Sequence, residues 1–102
     1  MRVIYNGEVK SIDDVPASSS GWLEGEGIFE TVKSVGNKPF SLSRHIARAQ
    51  SSAVALGITI PNSDQILQGV SDLFAAVPHG LGMLRISFDN QGNWLAVHMP
   101  YA

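Results

Sequence analysis

Hydrophobic and polar positions alternate with a period of two over Ile28–Val35, so that Ile28, Glu30, Val32 and Ser34 take one face of a strand and Phe29, Thr31, Lys33 and Val35 the other. Neither face is purely polar. Shorter β-type runs at Arg2–Tyr5 and Glu8–Lys10 flank Asn6-Gly7, the dipeptide favoured by a tight type I′ turn, and predict a hairpin. Ser11–Gly21, with Asp13-Asp14, Pro16 and Ser18-Ser19-Ser20, has no periodic apolar face and reads as loop. Gly36-Asn37 turns the long strand back into Lys38–Leu42 as a second hairpin. The period then lengthens. Leu42, Ile46, Ala49, Ala53 and Leu56 recur at helical steps, which predicts a helix from Arg44 to about Leu56 with Ser43 as N-cap and Gly57 just past its end. Asn62, with Gln65 three residues on, opens a second helix whose stripe is Ile66, Leu67, Val70, Leu73, Phe74 and Val77, closed by Pro78 and Gly80. Met83–Phe88 and Trp94–Met99 flank the polar turn Asp89-Asn90-Gln91-Gly92 as a last hairpin. Strand pairs, a helix pair and strands again predict an α+β fold: two layers, a largely antiparallel sheet with both helices packed on one face.

At 102 residues, 44% hydrophobic and 16% charged, the chain is long enough for one domain around one core, with little room left for a catalytic cleft walled in on all sides. Seven Lys and Arg against nine Asp and Glu give a net charge of −2, and no basic run is dense enough to bind a nucleic-acid backbone. The absence of cysteine removes disulfides, thiolate nucleophiles and thiolate zinc sites, and His45, His79 and His98 lack metal-ligand spacing, so no metal is expected. Apolar runs fall short of the roughly 20 residues a membrane span needs, and Met1–Gly7 meets a turn before any signal-peptide core. The expectation is a cytoplasmic protein without a membrane partner.

Candidate chemistry is sparse. Gly21-x-x-x-Gly25-x-Gly27 precedes a strand, whereas phosphate loops follow one and open a helix, so it reads as a tight loop. Asp13-Asp14 and the pair Glu24 and Glu26 lie in polar loops, where carboxylates are ordinarily solvated. His45 and Arg48 are neighbours on a helix, Ser52 extends their strip and Arg44 adds charge in the first turn. Cations at a helix opening suit an anion such as a phosphate; the competing reading is an exposed arginine and a histidine packed by its apolar edge. Arg85, amid Met83, Leu84, Ile86 and Phe88, either snorkels from a sheet edge or faces a ligand or carboxylate.

Taken together, Gly25-Glu26-Gly27-Ile28-Phe29-Glu30-Thr31, Gly36-Asn37-Lys38-Pro39-Phe40, Leu42-Ser43-Arg44-His45-Ile46-Ala47-Arg48, Ser52-Ala53 and Leu56-Gly57-Ile58 resemble the N-terminal domain of the class IV pyridoxal-phosphate enzymes. That family includes branched-chain and D-amino-acid aminotransferases and 4-amino-4-deoxychorismate lyase. The resemblance is close over residues 25 to 60 and weaker at Arg2–Lys10 and Met83–Phe88. It implies that Arg48 contacts the phosphate of pyridoxal 5′-phosphate, that Phe29 and Glu30 form part of the substrate wall, and that His45 supports Arg48. It further implies a small-molecule substrate, an amino acid or aminodeoxychorismate; a domain cut from a larger enzyme exposes the apolar face it ordinarily buries, so a homodimer is expected as well. In the family the Schiff-base lysine belongs to a C-terminal domain. Lys10, Lys33 and Lys38 match no such position, so residues 1–102 are expected to form the N-terminal domain without the catalytic-lysine domain, inactive alone. Asp89-Asn90-Gln91-Gly92 stands where some relatives carry a longer Arg-Gly loop, and Ala49 follows Arg48 where Leu is common. The alternative is a stand-alone α+β ligand-binding or assembly module without catalysis.

Overall fold

A computed structural model describes residues 1–16 and 27–101. Strands β1 (Arg2–Tyr5), β2 (Glu8–Ser11), β3 (Ile28–Val35) and β4 (Lys38–Pro39) precede helices α1 (Leu42–Leu56) and α2 (Ser63–Ala76), and β5 (Leu81–Phe88) and β6 (Trp94–Pro100) follow. A short 3₁₀ turn, Ile12–Asp14, opens the stretch expected as loop; Ser18-Ser19-Ser20, Gly21, Glu24, Gly25 and Glu26 lie outside the described residues. The strands form one sheet in the order β2-β1-β6-β5-β3-β4, with antiparallel pairings throughout. The two helices carry the chain from β4 over the sheet so that β5 returns beside β3.

Register decides which side chains share a face. Ile28, Glu30, Val32 and Ser34 of β3 stand opposite Phe88, Ile86, Leu84 and Gly82 of β5, and Phe88, Ile86 and Leu84 stand opposite Trp94, Ala96 and His98 of β6. That face packs under Leu42, Ile46, Ala49 and Ala53 of α1 and Ile66, Val70, Leu73 and Phe74 of α2 as a single apolar cluster. The α+β arrangement expected from the sequence is therefore the one observed. Asn6 and Gly7 both take positive φ, as a type I′ turn requires, and Asn62 and Gln65 exchange the two hydrogen bonds of a capping box. No helix among the described residues is long and apolar enough to cross a membrane.

Four local expectations are corrected. The strand expected over Lys38–Leu42 ends at Pro39, and Leu42 opens α1, where it is buried. Ser41 rather than Ser43 is the N-cap; it lies in the left-handed region (φ 53°), and its carbonyl accepts from the Arg44 and His45 amides. Leu56 at the end of α1 is exposed; Gly57, left-handed at φ 69°, turns the chain so that Ile58 packs against the core instead. In α2, Leu67 is exposed while Gly69 is buried against the Trp94 ring, a contact that a β-carbon would obstruct.

Ser34 and His98 form a second buried feature. His98 Nδ1–H donates to the Val77 carbonyl at 2.7 Å, which leaves Nε2 to accept from the Ser34 hydroxyl, also at 2.7 Å. Phe74 stacks on the imidazole at 4.0 Å and His79 meets it edge-on at 4.8 Å. Gly82 lies so close that a β-carbon there would collide with His98 Nε2. Burial pushes the imidazole below its ordinary value of 6.5; the Val77 hydrogen bond opposes this and the charge of His79 adds to it. The unfolded chain thus takes up a proton near pH 6.5 that the folded chain refuses, and stability falls as pH drops from there toward the lowered folded value. The urea midpoint of the parent is expected to decrease between pH 7.5 and 5.5, and that decrease to be shallower in His98→Gln; equal slopes would remove His98 as the cause.

Candidate functional site

Glu30 belongs to the row of β3 that faces the helices, so its carboxylate is carried under α1 with only 7% of the side chain exposed. A carboxylate there needs charged or hydrogen-bonding partners. The first turns of α1 supply two, three residues apart and therefore on one side of the helix. His45 Nδ1–H donates to Glu30 Oε1 at 2.7 Å. Arg48 donates from Nη2 to Oε1 at 2.7 Å and from Nε to both oxygens at 3.1 Å. Burial alone would push the Glu30 carboxyl up, but the hydrogen bonds from Arg48 and His45 and their Coulombic attraction hold it below its ordinary value. Its hydrogen bonds to Glu30 and the Glu30 charge in turn raise the Arg48 guanidinium above its ordinary value.

Arg48 nevertheless remains 67% exposed. Its outer side, with Ser41, Arg44 and His45, lines a cleft of about 450 Å³ at the start of α1. Arg44 and Arg48 lie four residues apart on the same side of the helix, and the Ser41 side chain makes no capping bond. Two guanidinium groups and a hydroxyl around an open cleft form a donor set suited to an oxyanion. A larger groove of about 720 Å³ between the first hairpin and α2 includes Asn6, Asn62, Asp64 and Trp94, and none of its lining residues is a cation. Among the described residues no three potential ligands gather to hold a metal.

The sequence-derived candidates separate in space. His45 does not bond Arg48; both grip the Glu30 carboxylate. Phe29 and Glu30 present no common surface, because adjacent residues of a strand point to opposite faces. Phe29 is half exposed on the side away from the helices, where the Arg85 guanidinium lies 4.7 Å from its ring centroid. The Arg85 guanidinium thus lies along a π face, and no carboxylate among the described residues pairs with it. Ser52, expected to extend the cationic strip, does not line the cleft. Of the glycine motif, Gly27 is described, and a β-carbon there would collide with the Phe88 carbonyl oxygen, so close strand approach explains it. The Glu30 partnership escaped the sequence reading. Its signal was a carboxylate in the buried row of β3, fifteen residues before a histidine and eighteen before an arginine.

Residues 27–95 match the model of the amino-transferase class IV family. The chain belongs to the class IV aminotransferase family. It is 30% identical over 78 residues to D-alanine aminotransferase of Listeria innocua, an alignment covering 74% of this chain and 27% of that protein. Among solved structures, the branched-chain amino acid aminotransferase of Escherichia coli superposes with a TM-score of 0.81 at 17% identity, covering 99% of this chain and 40% of that one. The 4-amino-4-deoxychorismate lyase of Pseudomonas aeruginosa gives 0.69 at 20% identity, covering 98% and 40%. At these identities the two structures establish the fold. This class IV chain spans well under half the length of these relatives.

Within the class IV chain, the balance at Glu30 is directly measurable. Removing Arg48 leaves burial opposed by His45 alone, so the Glu30 carboxyl is expected to titrate at higher pH in Arg48→Ala than in the parent, by side-chain carboxyl ¹³C NMR. Because its folded value is lowered, Glu30 stabilises the parent above the ordinary value of 4.5, and that contribution disappears as pH falls through the folded value. An unchanged Glu30 titration in Arg48→Ala would contradict this balance.

Proposed function

We propose that the chain serves as the N-terminal domain of a pyridoxal-phosphate-dependent class IV aminotransferase or aminodeoxychorismate lyase, with Arg48 contacting the cofactor phosphate. One observation carries this reading: Arg48 is gripped by Glu30 on one side and open on the other to a cleft that also holds Arg44. The donor set fits a phosphate monoester, an anion of up to two charges, better than a neutral ligand. When bound, pyridoxal phosphate supplies the electron sink for chemistry at the substrate carbon. The chain's own residues bind and orient: Arg48 and Arg44 the phosphate, His45 the Glu30 carboxylate, and Phe29 a stretch of substrate wall on the other face of β3. Substrate identity, amino acid or aminodeoxychorismate, belongs to the same proposal, as does a cytoplasmic location.

None of the three lysines reaches the cleft. Lys10 pairs with Glu8 at 3.7 Å on β2, Lys38 lies on β4, and the Lys33 ammonium lies 5.4 Å from the Tyr101 ring centroid, on the face of β3 away from the helices. The 102-residue chain is therefore expected to bind pyridoxal phosphate weakly and without turnover. Titration followed by cofactor absorbance and ³¹P NMR should show saturable binding that is lost in Arg48→Ala, and borohydride reduction should label no single lysine by mass spectrometry. A specific lysine adduct with turnover would refute the inactive-domain reading; no binding in the parent would favour the stand-alone module.

Self-association is part of the proposal. Val35 and Leu81 stand opposite each other on the sheet face away from the helices, each nearly half exposed, a small apolar area that a second copy would cover. Sedimentation equilibrium is expected to show a dimer, weakened by Leu81→Lys; a strict monomer at high concentration would contradict it.

A further inference from the structure

We propose that Glu30 is a positioning residue: its carboxylate holds the inner edge of the Arg48 guanidinium and so presents only the outer edge to the cleft, which sets the site to take a phosphate group end-on. The inference rests on the reading of Arg48 as the phosphate contact.

A guanidinium has five N–H donors in a rigid plane. Glu30 engages the Nε–H and an Nη2–H. That leaves the second Nη2 hydrogen and one Nη1 hydrogen along the Nη1–Nη2 edge, and the other Nη1 hydrogen beside the side chain's own Cδ. Two roughly parallel donors on that edge match two oxygens of one phosphate group, so the fork geometry survives although half the guanidinium is already engaged.

The clamp itself cannot drift. Glu30 sits in the middle of β3, paired through its backbone with Ile86 of β5, and its Oε1 also accepts from His45. Arg48, by contrast, is mostly exposed, and an exposed arginine otherwise samples many rotamers that binding has to freeze. Orienting it beforehand removes much of that loss. Glu30 also acts against the anion, because its negative charge stands behind Arg48. Positioning and charge therefore pull in opposite directions, and Glu30→Asp separates them. Aspartate keeps the charge while the shorter side chain withdraws the carboxylate from Nε and Nη2.

The experiment uses the 102-residue chain and inorganic phosphate. In the parent, the Arg48 Nε–Hε NMR signal is expected to exchange more slowly with solvent than that of exposed Arg44, which has no such acceptor among the described residues. In Glu30→Asp that protection should vanish, and phosphate affinity by ³¹P titration should fall about five- to tenfold, as expected for releasing an arginine's rotamers. Phosphate binding in Glu30→Asp equal to the parent's would overturn the positioning role while leaving the Arg48 reading intact. An Arg48 Nε–Hε in the parent that exchanges as fast as that of Arg44 would do the same, and it decides the matter even if Glu30→Asp fails to fold. A parent that binds no phosphate, or an Arg48→Ala that binds it equally well, would overturn the Arg48 reading and this inference with it.

Discussion

A single carboxylate withdrawn from water, that of Glu30, constrains how α1 can lie on the sheet. It occupies the buried row of β3 between Ile28 and Val32, where an unpartnered charge would cost several kcal/mol. The helix above must therefore present cations or donors at that point. His45 and Arg48 each precede a core residue, Ile46 and Ala49. Because one residue is about 100° of helix, the cationic strip and the apolar stripe keep a fixed angle. Rotating α1 far enough to take Arg48 off Glu30 would also lift Ala49 out of the core. Apolar packing and the ion pair thus select one orientation of the helix, and the cleft lined by Ser41, Arg44, His45 and Arg48 is a consequence of that orientation.

The alternation of β3 also sorts the chemistry. Even-numbered residues of the strand serve the helix side, where Glu30 meets α1, and odd-numbered residues serve the open side, where Phe29 carries the Arg85 guanidinium and Lys33 reaches Tyr101. A strand whose two faces are both engaged cannot read as cleanly apolar on one side and polar on the other. The mixed pattern that made both faces ambiguous in the sequence is what lets one strand border two different environments.

How far the sequence revealed this depended on the range of the interaction. Local signals held: Asn6-Gly7 made its turn, Asn62 and Gln65 made their capping box, and Gly57 ended α1. Boundaries set by packing did not. Leu42 looked like the end of a returning strand, because apolar residues suit either element; burial against the core assigned it to the helix. Leu56 and Leu67 fit the helical period yet remain exposed, since one lies at the last residue of α1 and the other on the outer side of α2. Arg48 and His45 stood out as cations at a helix opening, but their acceptor is on a strand fifteen and eighteen residues upstream, and no local rule connects them.

Ser34 and His98 show why burial of a polar group does not by itself mark a functional site. Like Glu30, Ser34 interrupts the apolar row of β3 and finds a partner distant in sequence. There the likeness ends. His98 has both ring nitrogens satisfied, by Val77 and Ser34, under a stacked phenylalanine, and no donor is left for a ligand. The Glu30 cluster is saturated on its inner side only; the arginine that completes it still holds N–H groups facing solvent. The useful criterion is the number of hydrogen-bonding groups left over at the surface after the buried ones have been matched. By that count Ser34–His98 is a strut between the sheet and the end of α2, whereas Glu30–His45–Arg48 is a strut with one free end, and the free end is where an anion can bind.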